Sequence, residues 1–298
     1  MRLVATPRRE SKIAAGVVGA AGVVAPAGAT DTVGPADTAA PAGTAAPAGT
    51  AVPAGAAAAA APTGPEPPPG AQDIFGSVFP LAQRYADMLA TDGIIRGLIG
   101  PREAARLWDR HLLNCAVVAD LVPRPATLLD IGSGAGLPGI VLAMLLPDVQ
   151  VTLLEPMARR AAFLDECLAG LGLRNVLVRR GRAEEVRGQI CVDVATARAV
   201  APLDRLAGLA MPLVRPGGMV LALKGQRAAA EADAARPVLR ELGVSDVAVL
   251  RAGAGRISPA ATVVRLIAGA GSAVPAKTRS GRRARLGAVR GKAAGASR

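Results

Sequence analysis

Leu128-Leu129-Asp130-Ile131-Gly132-Ser133-Gly134-Ala135-Gly136-Leu137-Pro138-Gly139 is the stretch around which this chain is organised. The apolar run from Ala126 to Ile131 carries no helical period and stops at glycine, which predicts a buried strand of a parallel sheet. Gly132, Gly134 and Gly136 follow at alternate positions, where glycine lets the backbone turn at positive φ and lets a ligand come close. Leu137, Ile140, Val141, Met144 and Leu145 then repeat at helical spacing, with Pro138 suited to a first turn. Strand, glycine loop and helix in this order make a nucleotide-binding βα unit.

Counted from Gly132, a dinucleotide fingerprint G-x-G-x-x-G would put its third glycine at Leu137. The pattern D-x-G-x-G-x-G instead resembles the first motif of class I S-adenosylmethionine (SAM) methyltransferases, whose glycine loop cradles the methionine part of the cofactor. Val151-Thr152-Leu153-Leu154-Glu155 is a second apolar run ending in an acid. A carboxylate at that strand tip can accept both ribose hydroxyl protons. Gly132, Gly134, Gly136 and Glu155 are therefore candidate cofactor contacts.

Working outward, β and α patterns alternate. Strands are expected at 126–131, 149–155, 175–179, 191–196 and 219–223, with helices at 137–146, 157–171, 203–213 and 227–242. Two late strands, 247–251 and 262–267, have no long helix between them and suggest an antiparallel closing pair. The fold class is α/β, a Rossmann-like seven-stranded sheet of the class I SAM-methyltransferase type. Ahead of it, Phe75, Val78, Ala82, Tyr85 and Leu89 share one helical face, and Pro101 and Pro123 bracket a second helix. The expected organisation is a low-complexity disordered extension (1–71), a helical cap (72–125), the SAM-binding domain (126–268) and a basic disordered tail (269–298).

The extension repeats Pro-Ala-Gly-Thr at 41–44 and 47–50 and has no large side chains to bury. Arg8, Arg9 and Lys12 before the run 13–25 loosely imitate an export signal, but that run holds no Leu or Phe. A disordered extension is the expectation. No apolar run approaches the length needed to span a bilayer, so no membrane partner is expected. The chain carries a net charge of +12. The tail holds Lys277, Arg279, Arg282, Arg283, Arg285, Arg290, Lys292 and Arg298 and no acid, which suits a polyanion such as nucleic acid. Cys115, Cys167 and Cys191 lack C-x-x-C spacing, so neither a disulfide framework nor a metal site is expected, and a cytoplasmic location fits.

Trp108-Asp109-Arg110-His111-Leu112-Leu113-Asn114, the run 130–139, Gly181-Arg182-Ala183-Glu184-Glu185, Ala197-Arg198-Ala199 and Leu223-Lys224-Gly225-Gln226 occur in an order and spacing that resemble the ribosomal RNA small subunit methyltransferase G family (RsmG), also named glucose-inhibited division protein B. The likeness spans about 75–268. It implies SAM-dependent N7-methylation of a specific guanine in small-subunit (16S) ribosomal RNA. It places Gly132 and Leu137 at the cofactor, Ala183 and Glu184 beside the adenine, and Arg198 between cofactor and target base. Arg198 and Lys224 are the candidate catalytic residues, since guanine N7 and O6 form an acceptor edge that cations read. Expected partners are small-subunit ribosomal RNA or the 30S particle, with the enzyme a monomer. Two other readings stay open, a nicotinamide oxidoreductase and a non-catalytic RNA-binding module. The chain offers no Tyr-Lys or His-Asp pair for the first, and its intact glycine loop and Glu155 speak against the second.

Overall fold

The structure is a computed structural model, and it describes residues 64–270. The expected disordered extension and basic tail lie outside the described residues, apart from the few residues at their inner ends. Seven strands form one sheet: β1 (Ala126–Ile131), β2 (Val149–Glu155), β3 (Val176–Arg180), β4 (Val192–Arg198), β5 (Val214–Lys224), β6 (Val244–Ala252) and β7 (Ala261–Ala268). Their spatial order is β3-β2-β1-β4-β5-β7-β6. The first five strands run parallel, and β7 enters antiparallel to both β5 and β6. The closing pair is thus as expected, and β1 and β4, adjacent in space but far apart in sequence, mark where the strand order reverses. Ligands of open parallel sheets bind outside the carboxyl ends of the strands at such a point.

Alternation along each strand divides the core in two. Leu128, Val151, Leu153, Val194 and Leu221 face one side, where α4 (Gly139–Leu145), α5 (Ala158–Leu171) and the cap pack. Leu129, Leu154, Ala195, Val220 and Ala222 face the other, under α6 (Leu203–Ala210) and α7 (Ala228–Glu241). A period of two delivers successive side chains to opposite faces. The buried aromatics Phe75, Tyr85, Trp108 and Phe163 all lie on the cap side. The other face is closed by Ala207, Ala210, Ala228, Ala232 and Ala235, which let two helices sit close to the sheet.

The cap is more segmented than its apolar periodicity suggests. It contains α1 (Ala71–Phe75), α2 (Phe79–Met88) and α3 (Leu113–Ala116), with a π-helical turn at Leu89–Gly93. A 3₁₀ stretch Pro101–Arg106 and a π-helical stretch Leu107–Leu112 lead into α3. It shares one continuous core with the sheet, so 72–125 and 126–268 are layers of a common interior. The folded body also begins earlier than residue 72. The Gly64 N–H donates to the Asp87 carboxylate at 2.7 Å, and the Trp108 indole N–H donates to the Pro65 carbonyl at 2.9 Å.

Most element boundaries move by one to three residues from expectation, and two of the differences have clear local reasons. The helix expected at 203–213 ends its α-helical part at Ala210, and Met211–Leu213 is a 3₁₀ turn. Pro216-Gly217-Gly218 is no stop before β5 but lies inside it, at a bulge where the register with β4 slips between Val192 and Val194. A Cβ on Gly218 would stand 2.6 Å from the Asp193 carbonyl, so only glycine lets the two strands approach there.

Candidate active site

The glycine loop is held from four directions. Gly132 (φ 67°), Gly134 (φ 58°) and Gly136 (φ 95°) all lie in the left-handed region. Beneath them Asp130 is fully buried. Its carboxylate accepts the Gly139 N–H at 3.1 Å and the Thr196 hydroxyl at 3.2 Å, tying the loop's far end to β1 and β4. The Ser133 hydroxyl donates to the Asp130 carbonyl at 3.0 Å. From the cap, the buried Tyr85 hydroxyl donates to the Ala135 carbonyl at 2.6 Å. Burial raises the Tyr85 pKa well above its ordinary value, so the phenol stays a donor. From β2, Glu155 accepts the Gly134 N–H at 3.0 Å and the Met157 N–H at 2.9 Å.

Gly136 turns inward. A Cβ there would meet Ile140 at 2.5 Å and the Tyr85 hydroxyl at 2.7 Å, so its part is to let loop and cap close together. It is not among the residues that line the middle cavity described below. Gly139 supplies a second close approach, since its Cβ would meet Leu153 at 2.3 Å. Counted from Gly134, the loop therefore does satisfy G-x-G-x-x-G, with the third glycine allowing close helix–strand packing. Glycine spacing alone does not separate SAM from a dinucleotide.

Burial pushes the Asp130 carboxyl up to about 6, the Gly139 N–H acting against it. Its ordinary value is 3.8, so the folded state holds the proton more tightly, and stability falls as pH rises through that window. Asp130→Asn keeps an acceptor for Gly139 and cannot ionise. Relative to this variant, the wild type is expected to lose on the order of 3 kcal/mol between about pH 4 and about pH 7. Urea titrations across that range check this, and parallel stability curves would refute it.

Three cavities run side by side along the carboxyl edge of the sheet. The middle one, about 430 Å³, is lined by Gly132, Ser133, Gly134, Leu137, Glu155 and Arg198. A second, about 240 Å³, shares Gly132 and Val200 with it and adds Ala183, Glu184 and Arg205. A third, about 450 Å³, shares Arg198 and Ala199 with the middle one and is walled by Arg110, Lys224, Glu231 and Thr262. Of the expected site residues, Gly132, Gly134, Leu137, Glu155 and Arg198 thus share one groove, and Ala183 and Glu184 line its extension. Lys224 stands across Arg198 in the third cavity.

The sheet supplies Arg198 and the cap sets its direction. One terminal nitrogen donates to His111 Nδ1 at 2.6 Å and to the Arg110 carbonyl at 3.2 Å, and the other lies 3.5 Å from Cys115 Sγ. Arginine cannot accept a hydrogen bond, so His111 Nδ1 is the acceptor and the ring proton sits on Nε2, which donates to Glu103 at 2.9 Å. Burial, then the neighbouring Arg198, lowers the His111 pKa and keeps it neutral. Both ring nitrogens of His111 are thus engaged, one of them in holding the Arg198 guanidinium. Ala199 follows Arg198 at φ 55°, among the described residues the one non-glycine at positive φ, on the seam between two cavities. Asp193 lies at the opposite end of β4, where it accepts the Thr127 N–H and hydroxyl and pairs with Arg215, a structural role.

Tyr85, Asp130, Ser133 and Glu231 were not among the residues singled out for the site. Asp130 had a signal as the first residue of D-x-G-x-G. Tyr85 had none, because its partner Ala135 is fifty positions away.

The middle cavity and its extension fit SAM. Over Gly134 a Cβ would meet nothing nearer than the Gly132 carbonyl at 3.8 Å, so the loop leaves open room for a ligand. Glu155 uses two lone pairs on the backbone and retains others where it lines the cavity.

The profile of the family described as rRNA small subunit methyltransferase G matches residues 79–258. The ribosomal RNA small subunit methyltransferase G of Thermobifida fusca is 57% identical over 196 residues, covering 66% of this chain and 83% of that protein. The protein of the same name from Streptomyces coelicolor is 55% identical over 200 residues, covering 67% and 84%. That from Salinispora tropica is 50% identical over 224 residues, covering 73% and 92%. A solved SAM-dependent O-methyltransferase from Thermotoga maritima overlaps loosely, at TM-score 0.42 and 16% identity over 53% of this chain and 65% of that one. With the family profile and the three ribosomal RNA methyltransferase relatives in agreement, the chain belongs to the rRNA small subunit methyltransferase G family.

Proposed function

We propose that this protein transfers a methyl group from SAM to N7 of a guanine in small-subunit (16S) ribosomal RNA. The observation that carries the reading is the continuity of a glycine-loop groove with a cation-walled cavity through Arg198 and Ala199. Gly132, Gly134, Leu137 and Glu155 would hold the methionine and ribose parts, and Ala183 and Glu184 the adenine. When bound, SAM supplies an electrophilic methyl on a sulfonium. Guanine N7 already bears an in-plane lone pair, so no side chain has to remove a proton. The residues then act by alignment and exclusion of water. Arg198 and Lys224 orient the base through its acceptor edge. Arg106, Arg110 and Arg251 line the mouth beyond Lys224 and suit RNA phosphates. The partner is the ribosomal RNA or the 30S particle, and the enzyme acts as a cytoplasmic monomer.

Mass spectrometry of ribosomal RNA from cells lacking the protein tests this. One N7-methylguanine should vanish from the small-subunit RNA and return when purified enzyme and SAM are added. An unaltered modification profile would overturn the reading.

Glu155 gives a separate check on the cofactor. In Glu155→Gln an amide N–H would face one of the two backbone donors and weaken the ribose contacts. Affinity for S-adenosylhomocysteine by calorimetry should drop by about 1–3 kcal/mol. Unchanged affinity in a folded variant would confine Glu155 to loop support.

A further inference from the structure

We propose that the Lys224–Glu231 pair selects guanine, the ammonium meeting O6 and the carboxylate meeting the N1–H and N2–H donors of the target base. This rests on the guanine-methylating reading of the site and names how it distinguishes bases.

Both side chains line the third cavity, and they are held together. Lys224 Nζ donates to Glu231 Oε2 at 2.8 Å and to the Ala201 carbonyl at 2.7 Å, which leaves one donor. The lysine side chain is only 11% exposed, while the Glu231 side chain is 31% exposed. The cation is therefore fixed, and the carboxylate keeps open lone pairs toward the cavity. Glu231 sits in the first turn of α7, which packs on the sheet face beside the end of β5.

A donor beside an acceptor is the complement of guanine's O6 beside N1–H. Adenine presents the reverse order, an amino donor beside the N1 acceptor. It would set donor against donor and acceptor against acceptor, and mismatched buried polar groups cost affinity. The position agrees with the chemistry. Arg198 is in register with Leu223, so Lys224, the next residue of β5, stands at the same carboxyl edge beside the seam with the cofactor groove. In guanine, N7 neighbours O6. A base with O6 at Lys224 turns N7 toward Arg198 and Ala199. Enzymes that act on single bases commonly read the Watson–Crick edge of an extruded nucleotide in this way.

The test is single-turnover methylation at saturating SAM of two RNAs, one with guanosine and one with inosine at the target. Inosine lacks only the 2-amino group. The wild type should prefer guanosine by roughly tenfold or more. In Glu231→Ala that preference should collapse toward unity, and in Glu231→Gln it should shrink. Affinity for S-adenosylhomocysteine should be unchanged in both. A merely structural pair would slow the two RNAs equally and leave the wild-type ratio intact, which overturns the proposal. Equal wild-type rates on both RNAs would overturn it as well. If Glu231→Ala does not fold, the isosteric Glu231→Gln carries the measurement. Failure of the wild type to methylate guanosine at all would instead overturn the reading of the site on which this rests.

Discussion

Arg198→Ala is expected to cut turnover by roughly a hundredfold while changing SAM affinity far less, because the role proposed for the side chain is alignment. The guanidinium lies where the cofactor groove meets the cation-walled cavity. Three cap groups, His111 Nδ1, the Arg110 carbonyl and Cys115 Sγ, fix its plane. That plane is what a base would be ranged against, so a shorter or differently shaped cation should not replace it. Arg198→Lys should recover little. Single-turnover rates and calorimetry with S-adenosylhomocysteine separate the possibilities. An equal loss in both would make Arg198 a cofactor clamp. A loss of melting temperature with an intact rate per folded molecule would make it a brace for the cap.

Gly136→Ala should be strongly disruptive, lowering stability by about 2–4 kcal/mol. Two costs combine at this position. The backbone lies at φ 95°, and the added Cβ would press on Ile140 and on the Tyr85 hydroxyl. Relief would require the cap to shift and would break the Tyr85–Ala135 hydrogen bond. Gly134→Ala makes the contrast. Its φ of 58° costs something, but the space above it is open toward the groove. That variant should melt near the wild type and lose cofactor affinity. Thermal melts with and without S-adenosylhomocysteine distinguish the pair, and matching profiles for the two variants would contradict these assignments.

The parallel strands were legible because burial on both faces leaves continuous apolar runs, and β1 and β2 carry the expected bounds. β5 was read too short because Pro216-Gly217-Gly218 looks like a terminator, whereas a bulge beside β4 tolerates it. The cap's apolar stripe showed which residues face inward, as the buried Phe75, Ala82, Tyr85 and Leu89 attest. Its change between 3₁₀, π and α turns was not legible, since these differ by small backbone adjustments that packing decides. Glu155 and Arg198 end β2 and β4, and such strand ends are marked in sequence by an apolar run meeting a charge. The roles of Tyr85 and Glu231 depend on which chain segments meet, and that is settled only by tertiary packing. Gly136 shows the opposite limit. Its spacing matches its neighbours, but only the steric environment reveals that it is pressed against Ile140 and Tyr85.

The lone tryptophan makes the cap spectroscopically visible. Trp108 sits 6.0 Å from Phe75 and 5.9 Å from Phe79 by ring centroids, with its indole N–H on the Pro65 carbonyl. It lines a crevice with residues 64–67 and none of the three cavities of the site. Intrinsic emission excited at the indole band therefore reports the seating of that leading segment against the cap. A red shift marks its release into water, and the signal stays silent to events confined to α6, α7 and the alanine-lined face of the sheet.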